Sequence, residues 1–166
     1  MPAALLTVST SKARGEGDDE SGARLAAFAT GLGLEIAAGE IVADDQATVE
    51  DRLRHFCDEL GVEVVLTSGG TGLSPDDLTP EATRAVIERE APGIAEAMRA
   101  ASRPHTPHWM LSRGVAGTRG RTLIVNFPGS PRSIDQCGEA IGEALSHALA
   151  LLAGERPAHR PPPPGA

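Results

Sequence analysis

At 166 residues the chain has the length of one domain with one substantial core. Its 15 Lys and Arg against 23 Asp and Glu give a formal net charge of -8, which excludes a general nucleic-acid binder, because that role needs a basic face to displace counterions. One Trp, three Phe and no Tyr leave the core to Ala, Leu, Val and Ile and provide few platforms on which a flat ring could stack. No stretch is apolar enough to span a membrane, and the start, Met1 to Leu6, lacks the charged and apolar regions of a secretion signal. A cytoplasmic, reduced setting is therefore expected, with Cys57 and Cys137 on apolar helical stripes as core thiols.

Leu5 to Ser9 reads as a first strand. Thr10 to Ser21, polar and broken by Gly15 and Gly17, reads as a surface loop or flap. Leu25, Phe28, Ala29 and Leu32 recur at helical spacing, so a helix is expected over 22–32, stopped by Gly33. A weaker strand, Glu35 to Val42, is interrupted by Gly39. Asp44 or Asp45 can cap the next helix, whose stripe of Val49, Leu53, Phe56, Cys57 and Leu60 ends at Gly61. Val62 to Thr67 is an apolar, β-branched run of the kind buried on both faces of a parallel sheet. Thr79 as N-cap with Pro80 at the first helical position opens a helix to about Glu90, and Pro92 ends it. A short helix follows over 93–101, Pro104 and Pro107 break the chain, and Met110 to Ala116 reads as a strand bent at Gly114. A turn over 118–121 leads to the strand Leu123 to Phe127. Ser130 as cap and Pro131 then open a helix to about Ala153. From Glu155 the chain is proline-rich and reads as a disordered or polyproline II tail.

Strands alternating with helices over 1–154 give an α/β fold, a three-layer α/β/α sandwich with a mostly parallel central sheet. Ligands of such sheets sit beyond the carboxyl ends of the strands, where the loops after Ser9, Val42, Thr67 and Phe127 should meet. The second of these loops and the third should be neighbours. The third carries Ser68-Gly-Gly-Thr-Gly72, which is neither a P-loop nor a dinucleotide fingerprint. A buried strand feeding a glycine-rich turn nevertheless turns backbone N–H groups toward an anion, typically a phosphate. Asp76 and Asp77 beside it would repel a bare phosphate and suit a divalent cation bridging them to it. One of Asp44 and Asp45 is needed as a cap and the other is free for a ligand. Ser130 and its helix start can also receive an anion. His105 and His108 lack a partner at metal spacing, and neither cysteine has a neighbouring base that would mark a nucleophile.

Thr7-Val-Ser9 with Asp19-Glu-Ser-Gly22, Val42-Ala-Asp-Asp-Gln46, Thr67 to Gly72 with Asp77-Leu-Thr-Pro80, Leu111-Ser-Arg113 and Asn126-Phe-Pro-Gly-Ser-Pro131 occur in this order. Together they resemble the MogA/MoaB family of molybdenum-cofactor biosynthesis proteins, related to the gephyrin G domain. The resemblance implies a homotrimeric molybdopterin adenylyltransferase using ATP and Mg2+, with a molybdate-insertion protein as a possible partner and no membrane or nucleic-acid role. It implies Asp44 and Asp77 as catalytic and metal-holding residues and Ser68, Gly69, Gly70, Thr71 and Gly72 at the nucleotide phosphates. Ser9, Ser112, Pro128, Gly129 and Ser130 would face the pterin. The stretch Thr10-Ser-Lys12 departs from the family, which commonly carries an acid after the first strand. A non-catalytic molybdopterin carrier of the same fold and a molybdate-insertion domain are the competing readings.

Overall fold

In the computed structural model, which describes residues 1–155, six strands form one sheet in the order β2-β1-β3-β6-β5-β4. The parallel part comprises β1 (Pro2–Val8), β2 (Glu35–Val42), β3 (Val64–Ser68) and β6 (Thr122–Phe127). The antiparallel extension is β5 (Ala116–Arg119) beside β6, and the two-residue β4 (Arg89–Glu90) beside β5. A hairpin joins β5 to β6 through Gly120, whose φ of 54° only glycine adopts cheaply.

The period-two alternation of each central strand builds two cores, one per face. Ala3, Leu5, Val64, Leu66, Leu123, Val125 and Phe127 face one side. There they meet α2 (Glu20–Gly31), α5 (Pro92–Ser102) and α6 (Pro131–Leu152). The α6 contribution, Ile134, Cys137, Ile141, Leu145 and Leu149, follows the helical repeat. Ala4, Leu6, Val8, Val65 and Ile124 face the other side, against α3 (Gln46–Arg54), Phe56 and α4 (Thr79–Val86). Helices on both faces of a mostly parallel sheet make the three-layer sandwich expected from the alternation of elements. All five residues of β3 are buried, as its unbroken apolar run requires.

The departures are local. Residues 10–13 form a one-turn helix, α1 (Thr10–Ala13), capped by Ser9, and α2 begins at Glu20 with Asp19 as its cap. Gly39 does not interrupt β2; the irregularity of this strand is the extra residue Ala37, left unmatched opposite Ala3 and Ala4 of β1. Thr79 is the first residue of α4 rather than its cap, and the Leu78 cap position supplies no side-chain bond. That helix ends at Val86, and the edge strand β4 follows, too short for any periodicity to announce it. Met110 to Val115 is not a strand: a 3-10 turn covers Trp109–Leu111, and pairing starts at Ala116. Ser130 holds the cap position of α6 without a side-chain bond. Of the proline-rich segment, all beyond Glu155 lies outside the described residues. Among the described residues no helix is long and apolar enough to cross a membrane.

Candidate active site

The strand order brings the loops after β1, β3 and β6 side by side at the carboxyl edge, and the loop after β2 completes the row. A cleft of about 580 Å³ opens there, lined by Ser9, Ser68, Gly69 and Gly129. Lys12 is its cationic wall residue, against the carboxylates of Asp18, Asp19 and Glu20. Ser112 and Pro128 instead line a smaller cavity of about 110 Å³ with Trp109 and Asn126. Of the residues expected at the pterin, Ser9 and Gly129 thus line one hollow and Ser112 and Pro128 the other, with the turn that follows β6 joining the two, while Ser130 lines neither.

The glycine-rich loop owes its path to close backbone approaches. Gly69 and Gly70 have φ of 93° and 62°. A Cβ on Gly69 would lie 2.3 Å from the Val8 carbonyl oxygen, and one on Gly70 2.3 Å from Thr79 Oγ1. The first turn of α4 holds the loop: Thr79 Oγ1 donates to Gly69 O at 2.9 Å, and Thr79 N donates to Gly70 O at 3.1 Å. The Gly69 amide itself donates, at 3.4 Å, to Phe127 O. Among the described residues the amides of Gly70, Thr71 and Gly72 donate no hydrogen bond. With that of Leu73, which donates none either, four consecutive N–H groups are available to an anion, one residue downstream of where the glycine cluster begins.

Asp45 is the helix cap: its carboxylate accepts from Thr48 N and Oγ1 at 2.8 and 2.6 Å, which hold it below the usual carboxylate range. That leaves Asp44 for other work, as expected. Asp44 Oδ2 accepts from both the amide and the hydroxyl of Thr10, each at 2.7 Å. The stretch that lacks the family's acid thus supplies donors to a neighbouring one. Asp77 Oδ2 accepts from Ser74 N at 2.8 Å and closes the loop on itself. The loops of Asp44 and Asp77 are not immediate neighbours, because β1 lies between β2 and β3. They flank the end of β1, about 10 Å apart by strand spacing.

Each of these aspartates keeps its Oδ1 without a hydrogen bond among the described residues. No cluster of three or more His, Cys, Asp or Glu side chains able to hold a metal occurs among the described residues. Such a donor set does not build an all-protein metal cage. It does fit Mg2+, which commonly takes one or two carboxylates and completes its shell with phosphate oxygens and water.

Sequence reasoning missed one contribution: the Asp18–Ser21 segment is a wall of the cleft. Asp19 accepts from Thr7 Oγ1 at 2.6 Å and from Gly22 N at 2.8 Å, while Ser68 Oγ lies 3.5 Å from Thr7 Oγ1. Ser21 Oγ donates to Gly129 O at 2.7 Å, tying the start of α2 to the turn after β6. The signal was present in Asp19 three residues before Gly22, an N-cap spacing. A Cβ on Gly22 would lie 2.2 Å from Asp19 Oδ2, so only glycine fits there. The cysteines are spectators: burial pushes the Cys57 thiol up to about 11 and also raises that of Cys137.

A doubly wound α/β sheet with a glycine-rich amide cradle and flanking carboxylates at its carboxyl edge defines a nucleotide- or phosphate-handling domain. The chain belongs to the MoCF_biosynth family, described as "Probable molybdopterin binding domain", which matches residues 4–147. It is 44% identical over 115 residues to a molybdopterin adenylyltransferase of Helicobacter pylori, covering 69% of this chain and 65% of that protein. To the molybdopterin adenylyltransferase of Escherichia coli K12 it is 43% identical over 104 residues, covering 63% of this chain and 53% of that protein. The matched part thus spans less than two thirds of these curated relatives. Among solved structures, the molybdopterin biosynthesis enzyme MoaB of Thermus thermophilus superposes with a TM-score of 0.87 at 45% identity, over 93% of this chain and 97% of that one. The Mog protein of Mycobacterium ulcerans gives a TM-score of 0.85 at 39% identity, over 92% and 97%.

Proposed function

We propose that the protein is a molybdopterin adenylyltransferase of molybdenum-cofactor biosynthesis: it transfers the adenylyl group of ATP to the terminal phosphate of molybdopterin and releases pyrophosphate. The observation that carries this reading is the run of undonated amides from Gly70 to Leu73, in the loop that leads from β3 to Asp77 at the carboxyl edge of the sheet. The names of the curated relatives support it.

In the reaction a molybdopterin phosphate oxygen attacks the α-phosphorus of ATP, and the bond to the bridging oxygen of pyrophosphate breaks. Such a transfer needs orientation and charge neutralisation, not a protein nucleophile. The undonated amides of the loop from Gly70 onward orient the triphosphate, Ser68 and Gly69 line the cleft beside them, and Lys12 adds a positive charge to the cleft wall. Asp77 would hold Mg2+ through its open Oδ1, with Asp44 across the end of β1 as the second acid facing the phosphates, and when bound the ion neutralises phosphate charge. Ser9, Gly129 and Ser130 on one side, with Ser112 and Pro128 on the other, would bracket the pterin. A cytoplasmic homotrimer that passes its product to a molybdate-insertion protein completes the reading. Ile36, Ile41, Met110 and Leu111 are exposed apolar residues that self-association would cover.

The test is pyrophosphate release with molybdopterin, ATP and Mg2+, omitting each in turn. Asp77→Asn is expected to abolish release nearly completely while leaving pterin binding largely intact. Wild-type turnover by that variant would remove Asp77 from the metal site. Silence of the wild-type protein with retained pterin binding would favour a carrier.

A further inference from the structure

We infer that Arg113 is a positioning residue that staples the glycine-rich loop, Asp77 and α4 into one unit. Arg113 lies between the 3-10 turn and β5, directly after Ser112. Its backbone N–H donates to Thr71 O at 2.8 Å. Its Nε donates to Gly72 O at 2.7 Å and its Nη2 to Asp77 O at 2.5 Å. The same guanidinium forms a forked ion pair with the Glu81 carboxylate on α4, through Nη1 to Oε1 and Nη2 to Oε2.

Each nitrogen of the guanidinium is therefore engaged, and its acceptors come from both ends of the loop and from the helix the loop leads into. Two consequences follow. The carbonyls of Thr71 and Gly72 are turned toward Arg113, so their peptide planes are fixed, and with them the direction of the undonated amides of Gly72 and Leu73. The main chain of Asp77 is held at a set place relative to those amides, although Arg113 makes no contact with the Asp77 carboxylate among the described residues. The ion pair is half exposed and contributes little to stability by itself. What the planar fork supplies is geometry that a lysine, a single point charge, cannot give to three acceptors at once.

The activity arm of the test rests on the adenylyl-transfer reading; the exchange arm does not. Arg113→Lys is compared with Arg119→Lys, which breaks a similar multidentate pair with Asp58 at the far end of the sheet. Both should lower Tm comparably. Arg113→Lys alone should speed amide hydrogen exchange at Ser74, Asp77 and Thr79, whose N–H groups donate within the loop, with α6 unchanged. It should also lower kcat about 100-fold with KM for molybdopterin within about twofold, the scale of a misplacement near 1 Å. Arg113→Gln, which keeps an NH2 donor, serves where the lysine variant does not fold. Unchanged exchange at Ser74, Asp77 and Thr79, or a kcat loss no larger than that of Arg119→Lys, would overturn the staple. A silent wild-type enzyme would refute adenylyl transfer instead, while exchange and ATP affinity measured by calorimetry would still decide the role of Arg113.

Discussion

Replacing Gly70 by alanine tests the construction of the loop in quantitative terms. The backbone there has φ of 62°, a conformation that costs a non-glycine residue about 1–2 kcal/mol. The new methyl would lie 2.3 Å from Thr79 Oγ1, with Thr79 Cβ at 3.3 Å and a Val8 methyl at 3.4 Å. Thr79 is fully buried, so its hydroxyl must rotate away and give up Gly69 O. A buried hydroxyl and carbonyl left unpaired cost about 1–3 kcal/mol. The sum is roughly 2–5 kcal/mol, whose midpoint is equivalent in a domain of this size to a Tm loss of roughly 10 °C. Urea unfolding of Gly70→Ala, Thr79→Ala and the double variant isolates the cause. Thr79→Ala alone should cost about 1–2 kcal/mol, and because it removes the clashing atom, the double variant should cost about 2 kcal/mol less than the sum of the singles. Additivity within about 0.5 kcal/mol would refute the clash as the reason for glycine at this position.

Two further outcomes follow from ionisation. Glu81 is held below the usual carboxylate range by its bonds from Arg113, so the stability it contributes is present above the unfolded carboxylate value and is lost as pH falls through the lower folded one. Glu81→Gln should therefore flatten the fall of Tm on going below about pH 4.5 relative to wild type; an unchanged slope would contradict the pairing. The Cys57 thiol, raised by burial to about 11, should react with iodoacetamide at neutral pH at least ten times more slowly than a free thiol near about 8.5. Rapid, stoichiometric labelling of Cys57 in folded protein would contradict that burial.

Much of the architecture follows from local rules that act on neighbouring residues. The unbroken apolar run of Val64 to Leu66 can be satisfied only inside a sheet covered on both faces, and the structure buries it completely. The stripe from Ile134 to Leu149 specifies the buried face of α6 in the same way. The glycine-rich loop was legible because Gly69 and Gly70 are needed where the chain must turn through positive φ. Misreadings occurred where the element was too short to show its sequence period. The two residues of β4 and the single turn of α1 cannot express a repeat, and Met110 to Val115 has strand composition without a strand to pair with.

The sequence by itself determined the layers, the run of glycines and the presence of acids at the sheet edge, since each depends on the conformational preferences or burial of a short segment. Only the tertiary structure decided how these parts are held. Strand order placed β1 between the loops of Asp44 and Asp77. The choice of Asp45 as cap released Asp44 to Thr10, and the Phe127 carbonyl took the Gly69 amide and left the next four. Arg113 reaches Gly72, Asp77 and Glu81 across 41, 36 and 32 positions of chain. Those partners are set by which strands lie side by side, a long-range outcome of packing two cores against one sheet that no local spacing encodes.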